Sequence, residues 1–312
     1  MSDNTQPRSH IGKTGPFEPL WAFVDRHFKL LAILPAAAFF LALSVFPLIE
    51  LFQMAASTIT FENSNLVRTP ALMENLGKLA DDWIFRRAMV NTLIFVLVAT
   101  AFEMVFGFAL ALAVSEVVRG RGLVRTGMLL PILIPPVAIG NMWRLMYNPE
   151  FGVINWLLGL VGIPPMDLLG STGTALIAVI IVDIWHWTPL VFLILLAGLE
   201  ALPEEVMEAS SIDGASYAQK LRHIVIPLMW PALMVAFIFR SIVAFKVFDQ
   251  IYLLTSGGPG TATEVISLYV YKVFFKQNQF GYGALIALIT IAIVCAYLGA
   301  FALAQRRLAR AR

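Results

Sequence analysis

The side chains best suited to chemistry in this sequence fall in two places. Asp183, Arg240, Lys246 and Asp249 are ionisable residues within or at the ends of long apolar runs, as is Glu103. Charges in such surroundings are costly and usually face a cavity or a partner. Lys246 and Asp249 stand three apart, the spacing of an ion pair on one helix face. Arg240 leaves two readings open: it pairs with Asp183 and leaves a neutral polar site, or it offers its guanidinium fork to a phosphate- or sulfonate-like group. Glu103 has no evident partner in the sequence, and a residue of another subunit is one reading. Asp183, Trp187 and Leu190 recur at i, i+4 and i+7, which puts them on one helix face with His186 beside it. The second place is the polar stretch EALPEEVMEASSIDGASYAQKLRHIVIP over 200–227, whose pattern suits binding rather than bond-making.

Bond-making chemistry finds little support elsewhere. No His, Cys and carboxylate cluster has metal-ligand spacing, and no nucleophile–base pair falls on one face. The chain is therefore expected to carry no catalytic residue and no metal site. Its one cysteine, Cys295, lies in an apolar run and reads as a packed core residue. Gly12-Lys13-Thr14 is not a phosphate loop, because that loop needs a glycine five residues before Gly12, where Pro7 stands, and a preceding strand.

These residues must be positioned by helices in a membrane. Of 312 residues, 59% are hydrophobic and 13% charged, against about 25% charged in a soluble domain. The net charge of +2 gives no footing for a nucleic-acid partner. Apolar runs long enough to cross a bilayer predict six transmembrane helices, near 30–52, 88–114, 123–145, 174–198, 227–248 and 281–304. The fold class is an all-α polytopic membrane protein, with residues 1–29 and 305–312 as tails. The first run is too long for a secretory signal and reads as an uncleaved span. Residues 151–163 are too short to cross and read as an external helix, at the interface or against the bundle. With both termini cytoplasmic, thirteen Lys and Arg residues fall inside, among them Arg8, Lys13, Arg119, Lys220 and Arg312, against six outside, as the positive-inside rule requires. Pro131, Pro135 and Pro136 interrupt the third span, as a packing kink or as a bend beside a pathway.

The 200–227 loop reads as two short helices. Pro203, Glu204 and Glu205 suit the start of the first. Gly214 suits a left-handed helix end. Ser216 and Gln219 have capping-box spacing for the second. Ala209, Ser210 and Ser211 give the first helix a small-residue surface open to close approach. An ordinary solvated loop is the plainer reading.

The residues of this loop also carry a resemblance. Glu208-Ala209-Ser210, three residues, Gly214, nine residues, Ile224 and then Ile226-Pro227 resemble the EAA motif of permeases in ATP-binding-cassette importers, with Ser for the second Ala and Ile for Leu. LLTSGGPGTATEVISLYVY over 253–271 and DIWHWTPL over 183–190 are similar to segments of the carbohydrate-uptake, maltose permease F-like branch. The resemblance implies the type I importer permease fold. It makes Glu208, Ala209, Ser210, Asp213 and Gly214 the knob that docks on a cytosolic ATPase. It implies substrate contacts at Asp183, His186, Trp187 and Leu190 in the fourth span and at Arg240, Val243 and Val247 in the fifth. Trp187 is the preferred stacking residue, since an indole face covers sugar C–H surfaces.

The function so implied is import across the bacterial inner membrane of a sugar, polyol or sugar derivative, or alternatively of an anionic, sulfonated or phosphorylated one. The implied partners are a second related permease subunit, two ATPase subunits and a periplasmic or lipid-anchored binding protein. The chain itself holds no cofactor, since ATP and Mg are bound by the ATPase subunits, and is no enzyme. An ion-coupled secondary transporter is the reading from another class; it calls for an ion site and inverted repeats that six spans do not reveal.

Overall fold

The computed structural model describes residues 18–62, 65–116 and 120–310. Arg8, the Gly12-Lys13-Thr14 run, Arg119 and Arg312 lie outside the described residues. The chain divides into two compact units, Met1–Gln53 and Met54–Arg312. The first is built on helix α1 (Glu18–Ala55), whose His27–Ala55 portion is long and apolar enough to cross a membrane. The helix thus begins ahead of the expected boundary at residue 30, with residues 18–29 as its more polar first turns. Phe39, Phe40, Leu43 and Phe46 are exposed along it, as side chains turned to lipid would be.

The second unit opens with a hairpin absent from the all-helical expectation. Strands β1 (Ser57–Glu62) and β2 (Asn65–Pro70) pair antiparallel with Ser57 opposite Pro70. Helix α2 (Leu72–Asp81) leads to α3 (Trp83–Ser115), a single long span. Asp82 caps α3 by accepting from Ile84 N and Phe85 N, both at 2.9 Å. The same carboxylate also accepts the hydroxyls of Tyr269 and Tyr282, tying the start of α3 to α12 (Ile266–Tyr271) and α13 (Phe280–Arg310). Burial works to raise its pKa, but these four donated bonds outweigh it and hold the carboxyl below its ordinary value.

Helix α3 packs along α7 (Ala175–Glu200). Gly107 sets their distance: a Cβ there would meet Val191 Cγ1 at 2.7 Å and Phe192 N at 3.0 Å. Small residues allow such close approach where no hydrophobic force drives helices together. The main core forms around Phe95, Val96, Val179, Val182, Ile251 and Leu268, with Trp143 packed edge-on to Trp185 at 5.6 Å.

Two spans are broken. Helices α4 (Arg121–Leu133) and α5 (Pro136–Met146) meet at 90° across Ile134 and Pro135. Helices α9 (Tyr217–Leu228) and α10 (Trp230–Phe245) meet at 66° at Met229. Four single helices and these two bent pairs give six crossings when each pair counts as one. The short helix α6 (Val153–Leu160) is anchored by Asn155, which donates to Tyr147 O and Asn148 O at 3.2 Å. Past the fifth span, α11 (Asp249–Leu254) turns back against α5 and α7. The Ser256–Gly260 turn that follows is pinned by Lys272, whose Nζ donates to Ser256 O at 3.0 Å and pairs with Glu264 at 2.6 Å. Asn91 of α3 donates to Thr261 O and Glu264 O from the other side. Cys295 is corrected by the fold: it is exposed rather than packed, because it falls on the face of α13 directed away from the bundle.

Substituting Gly107 by Val should destabilise the chain by about 1–3 kcal/mol through overpacking, with Gly107→Ala intermediate, read from thermal unfolding in detergent. Because the Asp82 pKa is depressed in the fold, its stabilisation is present above the unfolded value near 3.9 and lost as pH falls through the folded one. Acid titration of unfolding should therefore be shallower in Asp82→Asn, which is already weakened at neutral pH.

Candidate functional site

Arg240 is the largest fully buried side chain among the described residues, 1% exposed in the middle of α10. Two carboxylates from other helices enclose it. Its Nη2 donates to Glu103 Oε1 of α3 at 2.8 Å and also pairs with Asp183 Oδ2 of α7, while its Nε faces Glu103 Oε2. A bare guanidinium at this depth would be prohibitively costly, so the pairing is a condition of its burial. The Trp187 ring lies over its Cζ at 5.4 Å, a cation–π distance. Two carboxylates to one guanidinium leave no free positive charge. Of the two readings of Arg240, the structure takes the pairing with Asp183 and adds Glu103 as a second partner. Glu103 therefore needs no partner from another subunit.

Beside this triad lies a cavity of about 210 Å³, bounded by α5, α7, α10 and α11. Asp183, His186, Trp187, Val243 and Val247 line it. Arg240 and Leu190 are not among the lining residues: Arg240 is withdrawn behind Trp187, and Leu190 lies one helical turn further along α7. Pro136 does line the cavity, so the proline break of the third span sits beside it. Trp185, by contrast, packs on Trp143.

Further lining residues are Lys246, Phe248, Asp249 and Gln250. The i,i+3 ion pair expected of Lys246 and Asp249 does not form among the described residues. Helix α10 ends at Phe245 and α11 starts at Asp249, so the two residues never share a continuous helix face. Gln250 carried no periodic signal in the sequence, because it lies beyond that interruption. It is 4% exposed, as is His186, and its Nε2 lies 3.0 Å from His186 Nδ1.

A second feature is the polar loop, folded as helix α8 (Glu204–Ile212), a glycine turn and α9. Pro203 is the cap rather than the first helical residue, with Glu204 and Glu205 in the first turn. Gly214 takes φ +73°, with Gly214 N donating to Ser211 O and Ala215 N to Ser210 O. That conformation suits glycine and few others. Ser216 and Gln219 form the reciprocal capping box, Ser216 N donating to Gln219 Oε1 at 2.8 Å. Lys220 Nζ reaches back to Ser211 Oγ at 2.6 Å, bracing the two helices. Glu208, Ala209, Asp213 and Gly214 are exposed. Ser210 is not: it turns inward and donates to Met207 O, so Ala209 and Ser211 make the small-residue surface. Ile212 projects 86% exposed at the tip, and Glu208 borders a groove of about 680 Å³ that reaches Leu112 and Ser115 at the end of α3.

The family model for the binding-protein-dependent transport system inner membrane component matches residues 103–310. Over 206 residues the chain is 40% identical to the trehalose/maltose transport system permease protein MalF of Thermococcus litoralis, covering 66% of this chain and 70% of that protein. It is 31% identical over 275 residues to the trehalose transport system permease protein SugA of Mycobacterium tuberculosis, covering 86% of each. Among solved structures, a bacterial ABC transporter involved in the import of the acidic polysaccharide alginate superposes with a TM-score of 0.78 at 25% identity, over 93% of this chain and 99% of that one.

Arg240→Met alone should cost about 3–5 kcal/mol, because it strands two buried carboxylates. Adding Glu103→Gln and Asp183→Asn should recover most of that loss, with thermal unfolding in detergent as the measurement.

Proposed function

Because the chain belongs to the family of binding-protein-dependent transport system inner membrane components, we propose that it is the permease subunit of an ATP-driven importer for a neutral sugar, polyol or sugar derivative. The observation that carries the substrate class is the closure of Glu103 and Asp183 on Arg240. With the buried Arg240 guanidinium neutralised, the neighbouring cavity offers an indole face, an imidazole and an amide, a set suited to C–H surfaces and hydroxyls. The names of two relatives point the same way, being permeases of trehalose or trehalose/maltose systems, while a third is a sulfoquinovosyl glycerol permease. An anionic sugar is the second reading, favoured by the alginate importer among the structural neighbours. Against it stand the paired Arg240 and the carboxylate of Asp249 on the cavity wall, with Lys246 the one cation there.

In this reading Trp187 stacks on the sugar ring, with Asp183, His186, Val243 and Val247 around it, while Arg240 and Leu190 support the site from behind and below. The exposed Glu208–Gly214 knob docks on one of two partner ATPase subunits, which bind ATP and Mg and do the hydrolysis; the chain itself needs no cofactor. A second related permease completes the membrane pathway, and a periplasmic or lipid-anchored binding protein delivers the substrate. The protein lies in the bacterial inner membrane with both termini cytoplasmic. Such coupling works by differential affinity: ATPase closure favours one arrangement of the bundle over the other.

Membrane vesicles carrying the complex should take up sugar with ATP and without an ion gradient; uptake driven by the gradient alone would instead establish a secondary transporter. Glu208→Lys and Gly214→Pro should leave membrane insertion intact and reduce uptake at least about tenfold while ATP is still hydrolysed. Normal transport in both would remove the knob from the mechanism.

A further inference from the structure

His186 and Gln250 are joined across the cavity wall from α7 and α11, 64 residues apart in sequence. Both are nine-tenths or more buried and both line the cavity. The second polar atom of the amide, Gln250 Oε1, is buried without a hydrogen-bond partner, and a buried polar atom in that condition calls for an explanation. We propose that His186 and Gln250 act as one unit that reads hydroxyl groups of the transported sugar, and that Gln250 is a specificity-determining residue of this site. The inference rests on the sugar-importer reading and deepens it.

The chemistry follows from counting donors and acceptors. With Gln250 Nε2 donating to His186 Nδ1, the imidazole carries its proton on Nε2. The pair then has the ring N–H and the second amide N–H as donors, the latter toward the Asp183 carboxylate, and the amide oxygen as acceptor left over. Rotating the amide by half a turn and moving the imidazole proton reverses both roles: Nδ1–H donates to Oε1, leaving a ring nitrogen acceptor and two amide N–H donors. In either arrangement at least one donor and one acceptor remain. A hydroxyl both donates and accepts, so it satisfies either arrangement, and two neighbouring hydroxyls satisfy both groups at once. A carboxylate or sulfonate only accepts, and would leave the acceptor of the pair unmet beside Asp183 and Asp249. A site built to bond a hydroxyl rejects an analogue lacking it far more strongly than an apolar wall would. Trp187, tilted against His186 at 5.1 Å between ring centroids, places the stacking face next to this polar pair.

The test uses the full complex with its partner subunits in proteoliposomes, with radiolabelled trehalose and maltose as probes and their monodeoxy analogues as competitors. Gln250→Leu should lower ATP-driven uptake of the accepted sugar about tenfold, with Gln250→Met, similar in length, doing the same. His186→Leu should give a comparable loss, and the double variant little more than either single one, as expected for a unit. The decisive readout is the pattern over deoxy analogues. One or two of them should compete poorly in the wild type yet as well as the parent sugar in the Gln250 variants, because the hydroxyl they lack is the one the pair reads. A purely structural role for Gln250 would weaken all sugars alike and would overturn the inference, as would unchanged uptake in both variants. Absence of ATP-driven uptake by the wild type of these two sugars and of a panel of other sugars and polyols would sink the sugar reading, and the inference with it.

Discussion

Arg240 is held where a guanidinium cannot stay unless it is compensated. Glu103 and Asp183 reach it from α3 and α7 while it stands on α10, so three helices are fixed to one another at a single depth. The arrangement punishes loss of its centre: removing the guanidinium leaves two buried carboxylates uncompensated in a low-dielectric interior. It also sets the polarity of what lies beside it. Trp187 covers the guanidinium on one side and lines the cavity on the other, so the cavity meets an aromatic face where the bare sequence would suggest a cation.

The cavity exists because helices stop. Pro135 and Pro136 turn the third span through 90°, and the fifth ends at Phe245 before α11 folds back. Irregular backbone at membrane depth is tolerated where it is buried in protein or lines a cavity. Both breaks do so here, bringing Pro136, Phe248 and Gln250 to the same wall. The glycine contacts serve the complementary purpose of bringing unbroken stretches together, α3 on α7 at Gly107 and α5 on α11 at Gly140, where a Cβ would meet Leu253 at 2.6 Å.

The knob and the cavity are opposite kinds of site. The knob is made of local devices: acidic residues at a helix start, a left-handed glycine, and a serine–glutamine box, all within Glu204–Lys220. It presents Glu208, Ala209 and Ile212 outward, while Met207 and Leu221 pack on the core cluster beneath. The cavity residues come from four helices and mean nothing apart. In the proposed function this division has a use: a rigid handle transmits ATPase motion, while a site assembled from several helices changes when those helices rock.

Sequence alone determined whatever depends on neighbours within a few turns. Apolar runs located the spans, glycine and capping spacing located the knob, and the i, i+4 stripe on α7 brought Asp183 and Trp187 to one wall. It could not determine pairings between distant segments. Glu103 lies 137 residues from Arg240, Gln250 lies past a helix break, and Cys295 sits on an outward face that an apolar run cannot distinguish from an inward one. In a membrane both faces of a helix are apolar, so hydropathy loses the inside–outside contrast that it carries in water. The hairpin at β1 and β2 was missed because a short polar segment between spans offers too few residues to separate strand from loop. Whether Arg240 met an anion or a carboxylate was a question of which helices touch, and only the tertiary structure decided it, because the cost of an unpaired charge is paid at a contact and not along a chain.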